Sequence, residues 1–304
     1  MRETTSRAYV ERVNLAVDYI TAHLAEPLDL AEVSRVAMFS PFHFHRIFQA
    51  LMGATPAAFV KQLRLDKAIT MMAHHGVGRR LSLTGVALEC GFASSSDFSR
   101  CFKQKFGASP RAIDLAGWQK KHRKELEAAA IRMAGKSRVK RTPSARNPDR
   151  FKVEIRKLPA RTVAYIRVSN PYEGDAVIRA IGRLVAWAER RGLADGQWLG
   201  YQWENPELVA LDQCRYYAAV EAKRFTPAGE VGRTTFPPMT VAQVEVRGGI
   251  DLELRALQWL FGTWLPRSGY VPDDQPCFEA WIGRPLAHGM EHFELHAQLP
   301  IRRE

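Results

Sequence analysis

Phenylalanine and arginine alternate in a short pattern that occurs twice in the chain. Five residues of this pattern recur 54 positions later: Phe44, Arg46, Phe48, Gly53 and Pro56 return as Phe98, Arg100, Phe102, Gly107 and Pro110. On a helix the phenylalanines of each copy share one face, which leaves the arginine between them on the opposite face. An exposed guanidinium can form two parallel hydrogen bonds with a guanine edge or a phosphate. The repeat therefore indicates two equivalent points of contact with a polyanion such as DNA.

Each copy is predicted to be a short helix, a tight turn and a second helix, which is the helix-turn-helix plan. Upstream of the repeat, Leu30, Val33 and Phe39 recur only 53 positions later, as Leu83, Val86 and Phe92. The second turn is therefore expected to be one residue longer than the first. A helix over 56–73 lies between the copies and would set their separation. A separation of ~34 Å would place both second helices in successive major grooves.

The second helix of each copy needs an apolar face for its own core and a polar face for DNA. The predicted core positions are Phe44, Ile47, Phe48 and Leu51 in the first copy and Phe98, Cys101, Phe102 and Phe106 in the second. The positions left for the groove are Phe42, His45 and Arg46, and then Ser95, Ser96, Ser99 and Arg100. Phosphate contacts are expected from Lys61, Arg64, Lys103, Lys105 and Arg111.

The distribution of charge supports a polyanionic partner for the first half of the chain. The net charge of the 304 residues is +12, with 14 basic and 10 acidic residues in 1–118 and 11 basic and 3 acidic residues in 119–150. Residues 151–304 contain 19 of each. DNA would be attracted to the first half. Charge alone leaves open a solvated basic tail without a partner.

After residue 151 the hydrophobic pattern changes from helical to mixed. A strand at 162–168, a helix at 175–191 and strands at 198–203 and 215–222 are followed by the same order at 240–246, 251–265, 277–282 and 292–299. This order predicts an α+β domain of duplicated strand-helix-strand-strand units, with helices backing an antiparallel sheet. The expected organisation is an all-α domain with two helix-turn-helix units (1–118), a basic linker (119–150) and this α+β domain (151–304).

The strand at 277–282 carries a carboxylate beside an aromatic ring. Alternation places Glu279 and Trp281 on one face, while the other face is apolar and is expected to pack on the helices. Tyr201 and Trp203 alternate in the same way on an earlier strand. An aromatic surface with one carboxylate favours a flat or greasy cation. The alternative is that Glu279 is a surface residue, or is paired with an arginine such as Arg284.

Other classes of site lack a signal in the sequence. His288, His292 and His296 are four residues apart, but in a strand that spacing separates them by ~13 Å, so no metal is expected. No Gly-rich phosphate loop or Ser-His-Asp set is present, and we expect neither a cofactor nor an enzyme. The four cysteines are scattered and form no pair, which is typical of a reduced compartment. No apolar run approaches the ~20 residues of a membrane span, and acidic residues lie among the apolar residues of the N-terminus, unlike in a signal peptide. We therefore expect a cytoplasmic protein without a membrane partner.

The N-terminal motifs carry a family resemblance. Leu-Ala-Glu-Val-Ser (30–34), Ser-Pro-Phe-His-Phe-His-Arg-Ile-Phe (40–48), Gly-Ala-Thr-Pro (53–56) and Gly-Phe-Ala-Ser-Ser-Ser-Asp-Phe-Ser-Arg-Cys-Phe-Lys-Gln-Lys-Phe-Gly (91–107) resemble the AraC/XylS regulators. The resemblance covers about residues 6–115. It implies that the seven groove positions named above are those that meet DNA. The family commonly has tryptophan and glutamine where this chain has Phe42 and His45.

The later half resembles the GyrI-like effector-binding domain found in the Rob-like branch of those regulators. The matching segments are Leu158-Pro159-Ala160, 163–167, Trp187-Ala188, 191–193, 214–216, 264–266, 268–270 and Phe278-Glu279. The resemblance implies a ligand-binding role for Glu279.

These observations predict a transcription activator that is tuned by a small hydrophobic or cationic effector. Its expected partners are double-stranded DNA, RNA polymerase and the effector. Because two tandem units can occupy a site as a monomer, the sequence does not fix the oligomeric state. Two alternatives remain. One is a hydrolase of a reactive small molecule in which Glu279 activates water. The other is a constitutive regulator whose C-terminal domain binds a protein.

Overall fold

The computed structural model describes residues 2–74, 82–133 and 147–303. Two compact units are present. One holds the described chain up to Trp118 together with the short segment Thr226–Gly232, and the other holds the remainder. The predicted domain limits at 118 and 150 remain predictions, and part of the predicted linker, 134–146, lies outside the described residues.

Helices account for the first unit. Their bounds are α1 Arg2–Ala22, α2 Leu30–Val36, α3 Pro41–Met52, α4 Pro56–His74, α5 Leu83–Glu89 and α6 Ser95–Phe106. A seventh helix, α7 Leu115–Met133, begins at the end of this unit and includes the first part of the predicted linker. No helix in the described part of the chain is both long enough and apolar enough to cross a membrane.

The ends of α3 and α6 are fixed by the same local chemistry. Ser40 accepts a hydrogen bond from the backbone N–H of His43, and Ser94 accepts one from that of Asp97, so each serine caps its helix. Both helices end at a glycine in the left-handed region, Gly53 and Gly107. The two helices therefore begin and end at equivalent positions of the repeat.

The turns that precede α3 and α6 differ by one residue, as the change in repeat spacing predicted. Four residues separate α2 from α3, and five separate α5 from α6. Both turns contain a residue with positive φ, Met38 at 54° and Gly91 at 82°. Gly91 lies close to other parts of the unit, since a Cβ atom there would be 2.5 Å from the carbonyl oxygen of Leu24 and 2.8 Å from Nε of Arg64.

Aromatic rings form the core behind each second helix. Phe44 and Phe48 of α3 are buried, and the ring of Phe48 packs edge-on against Phe59 of α4. On α6 all four predicted core residues, Phe98, Cys101, Phe102 and Phe106, are buried. The prediction for Leu51 is wrong, because its side chain is 43% exposed near the end of α3.

Strands dominate the second unit. Their bounds are β1 Glu154–Leu158, β2 Arg161–Ser169, β3 Trp198–Gln202, β4 Arg215–Glu221, β5 Val231–Phe236, β6 Met239–Gly248, β7 Tyr270–Pro272, β8 Cys277–Trp281 and β9 Phe293–Arg303. They form one sheet in the order β1-β6-β9-β8-β3-β4-β2-β5, with β7 on β9. The helices of this unit are α8 Ala176–Glu189 and α9 Ile250–Trp259, and α9 continues as a π turn over Leu260–Trp264 and a 3₁₀ turn over Leu265–Arg267.

Three of these strands, β1, β5 and β7, are absent from the sequence prediction. In β1 four of the five residues are exposed, and its Glu-Ile-Arg-Lys-Leu sequence lacks the apolar alternation of a half-buried strand. It is held by its register with β6, in which Glu154 lies opposite Gln243 and Leu158 opposite Met239. Such pairing between distant segments leaves no local pattern.

The turn at Gly91 gives a direct test of this packing. We expect Gly91→Ala to destabilise the full chain by ~2–3 kcal/mol, because a methyl group adds a steric clash to the strain of positive φ. The matched control is Gly107→Ala, whose φ is 77° but which has no atom within 4 Å of the new methyl group. The control should lose ~1 kcal/mol. Urea unfolding followed by helical circular dichroism measures both, and equal losses would contradict the close contact with Leu24 and Arg64.

Candidate functional site

The outer face of α3 carries the three residues predicted for the first copy. Phe42 is 67% exposed, and His45 and Arg46 are exposed as well. The guanidinium carbon of Arg46 lies 5.9 Å from the centre of the Phe42 ring, which is within cation–π range. A large apolar ring beside a free guanidinium offers one contact for a thymine methyl group and one for a guanine edge.

The outer face of α6 is more polar. Ser96 and Arg100 are exposed, Ser95 and Ser99 are half-buried, and the side chain of Arg100 has 80% of its surface accessible. Asp97 accepts a hydrogen bond from Nη2 of Arg100 at 2.7 Å, and this bond holds the pKa of Asp97 below its usual value. The backbone N–H of Asp97 donates the N-cap hydrogen bond to the hydroxyl of Ser94, and this bond fixes Asp97 beside the guanidinium.

The two arginines are therefore held in different ways. His43 occupies the position in α3 that Asp97 occupies in α6, and its Nδ1 lies 3.1 Å from the hydroxyl of Ser40. Arg46 has an aromatic neighbour where Arg100 has a carboxylate. The pair on α6 has the more fixed geometry, because a charged hydrogen bond is directional and a cation–π contact is less so.

Helix α4 contacts both helix pairs. Its Phe59 packs on α3, and its buried Asp66 forms an ion pair with Lys105 of α6. Its 19 residues span ~28 Å. Arg64 donates to the backbone carbonyl oxygens of Leu24 and Glu26.

Two of the five predicted phosphate contacts are corrected by these bonds. Lys105 and Arg64 are engaged within the unit and are only partly exposed, so they act in packing. Lys61, Lys103 and Arg111 are exposed, and they stay predictions as phosphate contacts.

In the second unit Glu279 lies at the centre of the sheet, opposite Gly200 of β3. Its Oε2 accepts a hydrogen bond of 2.6 Å from the hydroxyl of Tyr216, on β4. Gly200 makes this bond possible, because a Cβ atom at that position would overlap both the Tyr216 hydroxyl and the Glu279 carboxylate. The carboxylate is surrounded by protein on most sides, although part of the side chain remains accessible to solvent.

A second carboxyl group reaches Glu279 from the helix layer. Glu253, in the first turn of α9 and 7% exposed, forms a side-chain hydrogen bond with Glu279. Burial raises the pKa of Glu279 to about 7, against its usual 4.5, and burial together with the neighbouring Glu279 raises that of Glu253 well above 4.5. Two carboxyl groups in contact cannot both be ionised at neutral pH without a cation.

The remaining groups around this pair are weak acids and an indole ring. The pKa of Tyr216 and that of Tyr172, whose hydroxyl donates to Gln202, are raised by burial and by the two carboxyl groups. Burial raises the pKa of the Cys277 thiol to about 12. Trp281 lies on the same face of β8 as Glu279, as predicted from alternation, and is buried. The result is a largely enclosed acidic centre with aromatic surroundings, which is called the Glu279 pocket below.

Two of the four predicted pocket residues lie on the other face of the sheet. The register places Tyr201 directly opposite Phe278, so that its ring joins the apolar core formed with Tyr217 and Phe236. Trp203 follows β3 and lies 6.3 Å from the ring of Phe236. The expectation that Tyr201 and Trp203 flank Glu279 is therefore wrong, because a shift of one residue in register reverses the face.

The expectation for the helices is also corrected. They cover the Glu279 face and not the Phe278 face, since α9 supplies Glu253, and Ile181 and Leu184 of α8 lie against Trp198 and Trp281. Arg284 pairs with Glu189, so the alternative in which it pairs with Glu279 is wrong. Within the described ranges, no group of three or more His, Cys, Asp or Glu residues is arranged to hold a metal ion.

Comparison with known proteins agrees with this division into two halves. A family model described as a helix-turn-helix domain matches residues 33–114, and one described as a GyrI-like small molecule binding domain matches residues 151–302. The fold and sites thus define a helix-turn-helix protein with a small molecule binding domain. The chain belongs to the GyrI-like family through its C-terminal half, and its N-terminal half carries an AraC-type helix-turn-helix domain.

Individual relatives cover one half each. A probable transcriptional regulator, LumQ of Photobacterium leiognathi, is 39% identical over 103 residues, which are 33% of this chain and 40% of LumQ. A DNA gyrase inhibitor of Edwardsiella piscicida is 34% identical over 162 residues, which are 50% of this chain and 99% of the inhibitor. A structure of the DNA-binding domain of AdpA with target DNA covers 36% of this chain and 96% of that domain, at 25% identity and a TM-score of 0.32.

The buried carboxyl group predicts a pH-dependent stability. Because the pKa of Glu279 is raised in the folded state, its contribution is favourable at acidic pH and is lost as the pH rises through 7. Glu279→Gln should therefore unfold at the same temperature as the wild type at pH 4, below the usual pKa of 4.5, and several degrees higher at pH 8.5. The upper limit of the difference is ~3 kcal/mol. Calorimetry at the two pH values measures it, and a variant that is less stable at pH 8.5 would contradict the assignment.

Proposed function

We propose that the protein is a transcription activator that binds double-stranded DNA with α3 and α6 and is tuned by a small hydrophobic cation bound at Glu279. Both helix pairs, α2 with α3 and α5 with α6, act as helix-turn-helix units. RNA polymerase is the further partner that an activator requires. Another relative, the HTH-type transcriptional activator RhaS of Escherichia coli, supports the direction of regulation. It is 32% identical over 102 residues, and the match covers 35% of its length.

One observation carries the DNA-binding role. Arg46 and Arg100 occupy equivalent positions on two helices that have the same caps, the same buried phenylalanines and the same exposed face. An isolated exposed arginine has no such implication. Recognition of two neighbouring half-sites requires an exposed arginine at the same position of two helices. Both helices here also pack against α4.

The effector role rests on the pocket around Glu279. An ionised carboxylate that is largely surrounded by protein attracts a cation more strongly than a surface carboxylate does, because water screens the charge less. Trp281 and the two tyrosines supply apolar and π surface for a hydrophobic body. The pocket thus suits an organic cation better than a neutral compound or a hydrated metal ion.

We interpret the sheet domain as two copies of one unit. In the strand order, β6-β9-β8 is followed by β3-β4-β2, so each strand of one half has a counterpart at the same distance from the centre. Glu279 and Gly200 meet where the halves join. On this interpretation one copy supplies the carboxyl group of Glu279, and the other copy supplies Gly200, which leaves space for that group.

The raised pKa of Glu279 also favours a second candidate, hydrolysis of a reactive small molecule. A carboxyl group that titrates near pH 7 can act as a general acid or base. Recovery of a reactive small molecule unchanged after prolonged incubation counts against this candidate, whereas products that together weigh one water more than the molecule support it. The alternative of a protein partner draws on the relative described as a DNA gyrase inhibitor.

For DNA, we expect Arg100→Ala and Arg46→Ala each to weaken binding to a preferred duplex by about 10- to 100-fold, because each substitution removes one bidentate contact to a base. The duplex is selected from a random pool, and fluorescence anisotropy over a salt series gives the affinities. The control is Arg190→Ala, which removes one exposed charge from the sheet domain and should leave affinity unchanged. Losses of equal size on unrelated duplexes would reassign the arginines to phosphate contacts.

For the effector, the probe is 4-biphenyltrimethylammonium, and the control ligand is its neutral analogue 4-tert-butylbiphenyl. Affinity for the cation should rise about tenfold per pH unit below pH 7 and level off above it, because binding needs the ionised form of Glu279. Glu279→Gln should remove this pH dependence and at least tenfold of the affinity at pH 8.5. Equal binding of the two ligands to the wild type would end the electrostatic argument.

A further inference from the structure

We propose that Glu253 stays protonated in the pocket and donates a hydrogen bond to Glu279, so that two adjacent carboxyl groups present one negative charge to the ligand. Glu253 is then a positioning residue, and the pocket selects a head group with a single positive charge. This inference rests on the proposed effector role of the pocket and specifies the class of ligand.

The geometry decides which of the two groups keeps the proton. Glu253 projects from α9 into the space between helix and sheet and is 7% exposed, whereas Glu279 remains partly accessible to solvent. Glu279 accepts from the hydroxyl of Tyr216, and its carboxyl group is also in hydrogen-bonding contact with that of Glu253. Two donors stabilise an anion on Glu279, while the more deeply buried Glu253 is better satisfied as a neutral acid.

The surroundings offer no competing positive charge. The ionisable groups that face the pair are Tyr216 on β4, Tyr172 in the connection from β2 to α8, and Cys277 on β8. Arg255, two residues beyond Glu253, pairs with Asp149 and Asp251 instead. Among the described residues, no lysine, arginine or histidine perturbs the pKa of either glutamate.

The charge of the pocket follows from this arrangement. Above about pH 7, where Glu279 is ionised, the pair carries one proton and therefore one negative charge. A singly charged cation neutralises that charge, whereas a neutral ligand leaves it without a partner in a poorly hydrated site. Deprotonation of Glu253 would place two anions in contact and would require a second positive charge.

The test compares Glu253→Gln with Glu253→Leu, using 4-biphenyltrimethylammonium binding to the full chain between pH 5.5 and 9. Glutamine retains a neutral donor, so affinity at pH 8.5 should stay within about threefold of the wild type and the pH midpoint should not move. Leucine removes the donor and keeps the space filled, so the midpoint should rise by about one pH unit. If Glu253 is instead ionised, Glu253→Gln loses tenfold or more at pH 8.5 and its midpoint falls, which overturns the proposal.

A measurement without ligand separates this inference from the proposed function. Infrared difference spectra of the wild type at pH 8.5 should show the C=O band of a protonated carboxyl group, and the band should be absent from Glu253→Gln. Its absence from the wild type overturns the proposal whether or not the cation binds. If the band is present and the cation does not bind the wild type, the effector role fails and the protonation of Glu253 stands.

Discussion

Two phenylalanines buried one helical turn apart fix the rotation of α3 and of α6 about their own axes. Phe44 and Phe48, and likewise Phe98 and Phe102, have ring centroids 5.3 and 5.4 Å apart and are almost wholly buried. Because successive residues of an α-helix are rotated by ~100°, the residue midway between the two rings lies on the opposite face. That residue is an arginine in both helices. Everything proposed for DNA recognition follows from this rotation, since a helix turned by a single residue would direct its guanidinium along the domain surface.

The sheet domain of the second unit depends on an equivalent constraint, because successive side chains of a strand point to opposite faces of the sheet. The register between β3 and β8 places Gly200 opposite Glu279, and the missing side chain leaves room for the carboxylate and for the Tyr216 hydroxyl. With the register shifted by one residue, Glu279 would face the apolar core around Phe278 and Tyr201, where it would meet no donor of this kind. The pocket is therefore a property of strand pairing as much as of any single side chain.

The sequence predicted the exposed face of each second helix because that face is encoded locally. In each of the two helices, the caps, buried rings and exposed polar residues lie within twelve helical residues and the one residue that flanks them at either end. The pocket was predicted only in part. Alternation along β8 correctly grouped Glu279 with Trp281, but the face occupied by Tyr201 depends on pairing with a strand about 80 residues away. Glu253 gave no signal, because an acidic residue in the first turn of a helix is ordinarily explained by the helix dipole. Lys105 was misassigned for a similar reason, since its partner Asp66 is distant in sequence.

The energy associated with Glu279 is large enough to matter for regulation. Raising its pKa from 4.5 to about 7 makes ionisation less favourable by ~3 kcal/mol than in water. A cation that pairs with the carboxylate recovers part of this free energy on binding. Coupling between a ligand and a distant activity typically amounts to ~1–3 kcal/mol. One buried carboxyl group can therefore account for a full regulatory effect, provided that the cation binds one conformation of the protein more tightly than another. A neutral hydrophobic ligand gains nothing from the carboxylate, so it would have to achieve the same coupling by burying apolar area alone. Positive charge is therefore the feature that best distinguishes an effector from other hydrophobic compounds.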